Sequence, residues 1–221
     1  MKKIYKWMIG LTLLSFVTAG FFLTLAPDTV AVHFNASGEI DRWGSKYEFL
    51  LFPFFNTVMC VFMGLVARYE GKKGRDTNET VVAGVGIWVQ VLFNAIWLFF
   101  FWKTLEGTDL TGSEDVGIKG IYLLLMASFL PLGNVMPKAQ RNSFYGLRTK
   151  WSMANDVCWQ KSQRLGAYSL MGMGILGIVL VSLLPAARAT FAVLGLLLIM
   201  ALVDIIGTYV IWKKENEKST A

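Results

Sequence analysis

The chain is poor in charge: Asp, Glu, Lys and Arg make up 16% of its 221 residues, against roughly 25% in a soluble domain, which needs them to cover its surface. Histidine is scarcer still. His33 is the only one, and there are two cysteines, Cys60 within an apolar run and Cys158 in a basic segment. No CxxC or Cys/His spacing joins them, which excludes a disulfide framework and a structural zinc site. Both are expected to be packing residues, and no metal or other cofactor is expected. The five prolines form no linker, and there is no low-complexity stretch or internal repeat. Asp204 is the one acid well inside an apolar run. An intramembrane hydrolase would need a paired nucleophile and base, two acids or a histidine-rich metal set, so no catalytic residue is expected.

What is abundant is hydrophobic side chain, 55% of the sequence with a mean hydropathy of +0.51. Six runs are long enough to cross a hydrocarbon core of about 30 Å, which takes some 20 helical residues. They are 7–26, 48–67, 81–102, 118–136, 166–184 and 190–212. The expected architecture is an all-α membrane protein. A single domain over 1–221 bundles about six transmembrane helices, with a hairpin-like extracytoplasmic loop and a cytosolic interfacial helix. Pro131 is expected to kink or shorten the fourth span. Pro185-Ala-Ala-Arg-Ala189 leaves room only for a tight antiparallel turn between the fifth and sixth. The first run is too long for a cleaved signal core and lacks a clear A-x-A site, so it reads as a retained span.

Basic residues set the orientation. Of the 21 Lys and Arg, 16 fall in segments 1–6, 68–80, 137–165 and 213–221; the other five are Arg42, Lys46, Lys103, Lys119 and Arg188. Both termini are therefore expected in the cytosol. The +6 charge lies between apolar runs rather than in one patch, which argues against direct nucleic-acid binding. The tail 213–221 reads as short, charged and frayed.

Two loops carry most of the information. In the outer loop, 27–47, Val30, Val32 and Phe34 alternate with Ala31 and His33, the period of a short strand, and Asn35, Ser37 and Gly38 signal a turn. The candidate polar residues there are His33, Asn35, Asp41 and Lys46. The inner loop, 137–165, is the longest and most basic. Ser152 is a candidate N-cap, with Asn155 and Asp156 in the following turn. Val157, Trp159 and Leu165 mixed with Lys161 and Arg164 give an amphipathic helix leading into span five. From composition that helix fits first tryptophan anchoring and contact with anionic lipid, and as a second reading docking of a cytosolic protein.

Asn134, Asn142, Gly146-Leu147-Arg148-Thr149, Trp151-Ser152, Trp159 and Arg164, at their spacing here, resemble the signature loop of the SdpI immunity-protein family. His33-Phe-Asn-Ala-Ser-Gly38 and Trp43-Gly-Ser-Lys46 resemble the small extracytoplasmic domain at the start of longer members. The resemblance implies a bacterial plasma-membrane protein that protects its cell from a secreted, membrane-active peptide toxin. It further implies that the inner-loop residues hold a cytosolic transcriptional repressor at the membrane. Arg148 and Trp151 lead that set, since arginine binds carboxylates in a fixed bidentate geometry and tryptophan supplies a large buried anchor.

Polar residues inside the runs suggest an alternative. Counted along their helices, Asp204 and Ser15 lie roughly 12 Å, Gln90 roughly 13 Å and Asn56 roughly 16 Å from the cytosolic edge, with Asn94 one turn beyond Gln90. Four spans would share one polar layer if they stand together. Such a layer is either a set of interhelical hydrogen bonds, each contributing about 0.6–2 kcal/mol, or the lining of a small transporter or channel around Asp204.

Overall fold

The computed structural model describes residues 2–34, 40–73, 76–106 and 116–220. In chain order it runs α1 (Lys3–Leu25), β1 (Thr29–Phe34), β2 (Ile40–Ser45), a 3-10 turn (Lys46–Leu50), α2 (Leu51–Lys72), α3 (Asp76–Glu106), α4 (Val116–Val135), a second 3-10 turn (Met136–Lys138), α5 (Asp156–Leu183) and α6 (Ala186–Thr220). Six helices among the described residues are long and apolar enough to cross a membrane. Burial is inverted relative to a soluble protein. Leu183 and Phe191 are 77% and 76% exposed, while Gln90 and Gln163 are fully buried. Exposed apolar surface on this scale is stable only against lipid, and a polar group facing hydrocarbon would be costly.

The helices outrun the apolar stretches. α5 starts at Asp156, so the amphipathic turns expected ahead of the fifth span form and pass into it without a break. Its N-cap is Asn155, whose side chain accepts from the Cys158 amide at 2.8 Å. Ser152, expected as the cap, is engaged elsewhere. α4 does not end at Pro131. It continues to Val135, although the ring removes the bond to the Ala127 carbonyl. α6 begins one residue after Pro185 and stays helical to Thr220, where a frayed tail was expected. Lys161 on α5 holds the far end of α6 through Glu215 at 2.6 Å.

The bundle has two halves. α3 packs against α1, α2 and α4, and α5 against α4 and α6. The first half, α1–α3, has a core of Met8, Met63, Ala67, Val82 and Val85 toward its basic end. Toward the other end lies an aromatic core in which Phe22 packs edge-on to Trp97 and close to Phe49. The second half, α4–α6, centres on Met126, Val181, Ala189 and Val193. Small residues set its spacing. A Cβ at Gly174 would lie 2.8 Å from the Met126 carbonyl, and one at Gly133 would strike Met171.

The expected outer hairpin is present as an antiparallel pair of β1 and β2, with Thr29 opposite Ser45 and His33 opposite Arg42. Its alternation is imperfect. Val30 and Ala31 are both buried although they pair in regular register with Gly44 and Trp43, and the register slips only beyond Ala31, on either side of His33.

Candidate functional site

The inner loop folds on a buried amide. Gln163, one turn beyond Trp159 on α5, clamps the backbone of Leu147. Its Oε1 accepts from the Leu147 amide at 2.9 Å and its Nε2 donates to the Leu147 carbonyl at 3.0 Å. The chain reaches this position through Gly146, at φ 115°, a conformation that side chains with a Cβ rarely adopt. Space alone would enforce glycine there, since a Cβ would collide with the Gln163 amide and crowd Trp159. Beyond Leu147 the Ser152 hydroxyl donates to the Leu147 carbonyl at 2.8 Å and accepts from the Thr149 amide at 2.9 Å. In return Thr149 Oγ1 accepts from the Ser152 amide at 3.0 Å. The Thr149 hydroxyl also meets Thr208 Oγ1 on α6 at 3.0 Å. Asn142 closes the other side: its Oδ1 accepts from the amides of Phe144 and Tyr145, and its Nδ2 donates to the carbonyls of Gln140 and Tyr145.

The same loop joins the two halves of the bundle. The Asn78 side chain on α3 accepts from the Gln140 amide at 2.9 Å. Trp159, almost wholly buried with Val81 of α3, donates its indole N–H to the Ala139 carbonyl at 2.7 Å. Phe144 meets Phe62 of α2 edge-on. Tyr145 donates to the Leu132 carbonyl at 2.5 Å, satisfying one of the acceptors left open at the end of α4. Burial pushes the Tyr145 phenol up to about 12, so it stays a protonated donor at neutral pH. On the α6 side Trp151 lies edge-on to Tyr209, with ring centroids 5.2 Å apart.

The expected inner-loop residues thus divide. Asn142, Gly146, Leu147, Thr149 and Trp159 build the loop, and Trp151 is half-buried against α6. Arg148, Arg164 and Asn134 are exposed. Arg148 sits between two clamped residues yet takes no part in their bonds. Arg164 lines a cleft of about 470 Å³ with Pro137, Lys138, Arg141, Asp156 and Trp159. Sequence reading missed Gln163, Asn78, Tyr145 and Thr208. A signal for Gln163 was available, because it falls on the buried stripe Trp159, Gly166, Gly174 and Gly177 of α5.

The polar layer does not form as one cluster. Gln90 donates to the Met8 carbonyl at 3.2 Å and the Thr12 hydroxyl at 2.8 Å, and Asn94 to the Leu11 and Gln90 carbonyls. Ser15 donates to the Thr12 carbonyl. These residues seal the seam between α1 and α3, and Asn56 is buried on α2. Asp204 belongs to the other half. It is 7% exposed on α6 and its side-chain neighbour is Ser169 of α5. The depth estimates agreed, but α6 packs against α5 and α4 rather than α1–α3.

On the hairpin, His33 Nδ1 lies 2.6 Å from Asp41 Oδ1 with both side chains well exposed. Lys46 is structural: its ammonium donates to the Ala26 carbonyl at the end of α1 at 3.2 Å and pairs with Asp28 at 3.1 Å, a favourable place for a cation. Asn35 lies outside the described residues. Beside the hairpin an apolar cleft of about 260 Å³ is lined by Val32, Phe49, Leu51, Phe52, Phe55 and Phe93, with the Arg42–Glu48 ion pair among its residues. Among the described residues no group of three or more His, Cys, Asp or Glu could hold a metal.

Six lipid-facing helices around buried polar seams define a multi-pass integral membrane protein. Comparison with protein families makes this specific. The SdpI/YfhL protein family matches residues 138–208, from the second 3-10 turn to the Thr208 that Thr149 bonds. A domain of unknown function (DUF1648) matches residues 10–57, which run from within α1 through the hairpin to the start of α2. Residues 138–208 are thus similar to the SdpI/YfhL family and residues 10–57 to DUF1648. No curated protein and no solved structure matches it.

Proposed function

We propose that this chain is an immunity protein of the bacterial plasma membrane. It lies with both termini and the 137–165 loop in the cytosol, and it protects its cell from a secreted, membrane-active peptide. In the same reading, the Arg148–Trp151 edge of the inner loop holds a cytosolic transcriptional repressor when toxin is present, and the protein performs no catalysis. One observation carries most of the weight. The SdpI/YfhL match coincides with a loop whose backbone is fixed by buried side chains on both sides of an exposed arginine. A rigid platform with one free bidentate donor suits recognition of a partner carboxylate, because little ordering entropy is lost on binding. The orientation is supported by the gathering of 16 of the 21 basic residues at one end. At the other end, the phenylalanine-lined cleft beside the hairpin suits an apolar side chain of the peptide.

The test is survival of a sensitive bacterium expressing the protein and challenged with membrane-active peptides, with a tagged repressor followed by fractionation. Wild type should confer survival and retain the repressor with the membrane. Arg148→Ala should insert normally, keep protection and release the repressor. Trp151→Ala should do the same with some loss of stability, because it also removes the Tyr209 contact. Repressor retention unchanged in both variants would refute the docking role, and sensitivity of the wild-type strain to every peptide would refute immunity. Asp204→Asn should leave protection intact; a loss would restore the transporter alternative.

A further inference from the structure

The strongest unassigned feature is the basic cleft where α4 ends and α5 begins. Its cations are Lys138, Arg141 and Arg164 and its one acid is Asp156. Arg141 Nε pairs with Asp156 at 3.1 Å and its guanidinium donates to the Met153 carbonyl, so the acid is already occupied. Lys138 and Arg164 are exposed, and neither has an ion pair among the described residues. About 470 Å³ of space therefore holds two uncompensated cations. The wall is not a soft surface: Trp159 beneath it is almost wholly buried and fixed to the Ala139 carbonyl.

Its position relative to lipid follows from helix length. The 28 residues of α5 extend about 42 Å, more than the roughly 30 Å hydrocarbon core, and its charged residues, Asp156, Lys161 and Arg164, all lie toward its start. Arg164 therefore sits at the membrane boundary. Along its own stripe the helix turns apolar at once. Tyr168, one turn on, is 77% exposed, and Ile175 and Val179 follow on the same side, also exposed. A cationic cleft continuous with a lipid-facing apolar track matches an amphiphilic anion, with its phosphate beside Lys138 and Arg164 and its acyl chains along Tyr168–Val179. A free anion would need no such track, and an acidic peptide would not lie along a face at hydrocarbon depth.

We infer that this cleft binds the phosphate headgroup of an anionic phospholipid from the leaflet it adjoins. The lipid closes the seam between α4 and α5 beside the inner loop. Basic pockets between transmembrane helices are suited to such headgroups.

The full chain, reconstituted in vesicles of phosphatidylcholine with or without phosphatidylglycerol and then mildly extracted, can be examined by native mass spectrometry for retained lipid. The wild type should retain phosphatidylglycerol in preference to phosphatidylcholine. The double variant Lys138→Gln/Arg164→Gln should lose that preference by about tenfold or more. Lys213→Gln/Lys214→Gln, an equal charge change in the tail, should keep it, as should Arg164→Lys. Because the altered side chains are exposed, melting temperatures should match the wild type. If the double variant melts early, each single variant decides instead, with an expected loss of about fivefold. Equal retention by wild type and cleft variant, an equal loss in the tail variant, or displacement of the lipid by inorganic phosphate or by an acidic peptide would each overturn the assignment.

Discussion

The outer hairpin and the inner loop both turn the chain between helices, and both contain tryptophan, glycine and basic side chains, yet they are held in different ways. The hairpin keeps its shape by backbone pairing, and its side-chain contacts, His33–Asp41 and Arg42–Glu48, lie in the open with every partner more than a third exposed. The inner loop has little regular backbone pairing. Its amides and carbonyls are satisfied by Asn142, Ser152, Trp159 and Gln163, all buried. Water competes for the first set of contacts and not for the second, so equal numbers of hydrogen bonds differ in consequence. A loop built from buried side chains is rigid, and it fails sharply when one of them is lost.

That contrast can be broken most forcefully at Gln163. Gln163→Leu keeps apolar bulk but leaves the buried Leu147 amide without its acceptor, which should cost about 2–3 kcal/mol and lower the melting temperature in detergent by more than any change in the hairpin. Next comes Trp159→Phe, which removes the bond to the Ala139 carbonyl and leaves a void; about 2 kcal/mol is expected from the same melt.

Tyr145→Phe should cost about 1 kcal/mol and sharpens the comparison through pH. The phenol is raised from 10.0 to about 12 by burial, so its protonated form is favoured in the folded loop. The stabilisation is complete below pH 10 and is lost as pH rises toward 12. Wild type should show that alkaline loss in a melt series, and Tyr145→Phe should show a smaller one. At the bottom of the scale, Arg42→Gln should change stability by less than about 0.5 kcal/mol, with a near-unchanged melting curve. A hairpin substitution as damaging as Gln163→Leu would refute the distinction.

Much of the candidate site was legible in the sequence, but as spacing rather than as roles. Gly146, Asn142 and Trp159 stood out, and the structure gives each a task in building the loop. Arg148 and Trp151 stood out equally, and only one of them is exposed. Gln163 was passed over because a polar residue before an apolar run reads as solvated. Its place on the stripe of Trp159, Gly166 and Gly174 was a local signal of burial, but its partners Gly146 and Leu147 arrive from the loop, which no local pattern encodes. Ser152 was misread for the same reason: the residue type suits a cap, but Asn155 is the one positioned at the first free amides of α5.

The polar layer teaches the complementary lesson. Depth along a helix is a one-dimensional quantity, and counting residues places Asp204 level with Gln90 and Ser15. Which helices are neighbours is a three-dimensional one. The structure puts α6 against α5 and α4, so Asp204 faces Ser169 while Gln90 and Asn94 bond to α1.

By itself the sequence determined the solvent, the number of crossings and the bias of basic charge. Those follow from transfer free energies summed over long runs, which do not depend on neighbours. The tertiary structure alone decided which polar residues meet, which are sealed inside the inner loop and which cations stand free beside an open cleft. Hydrogen bonds and ion pairs act over a few ångströms between groups far apart in the chain, and only packing brings those groups within reach.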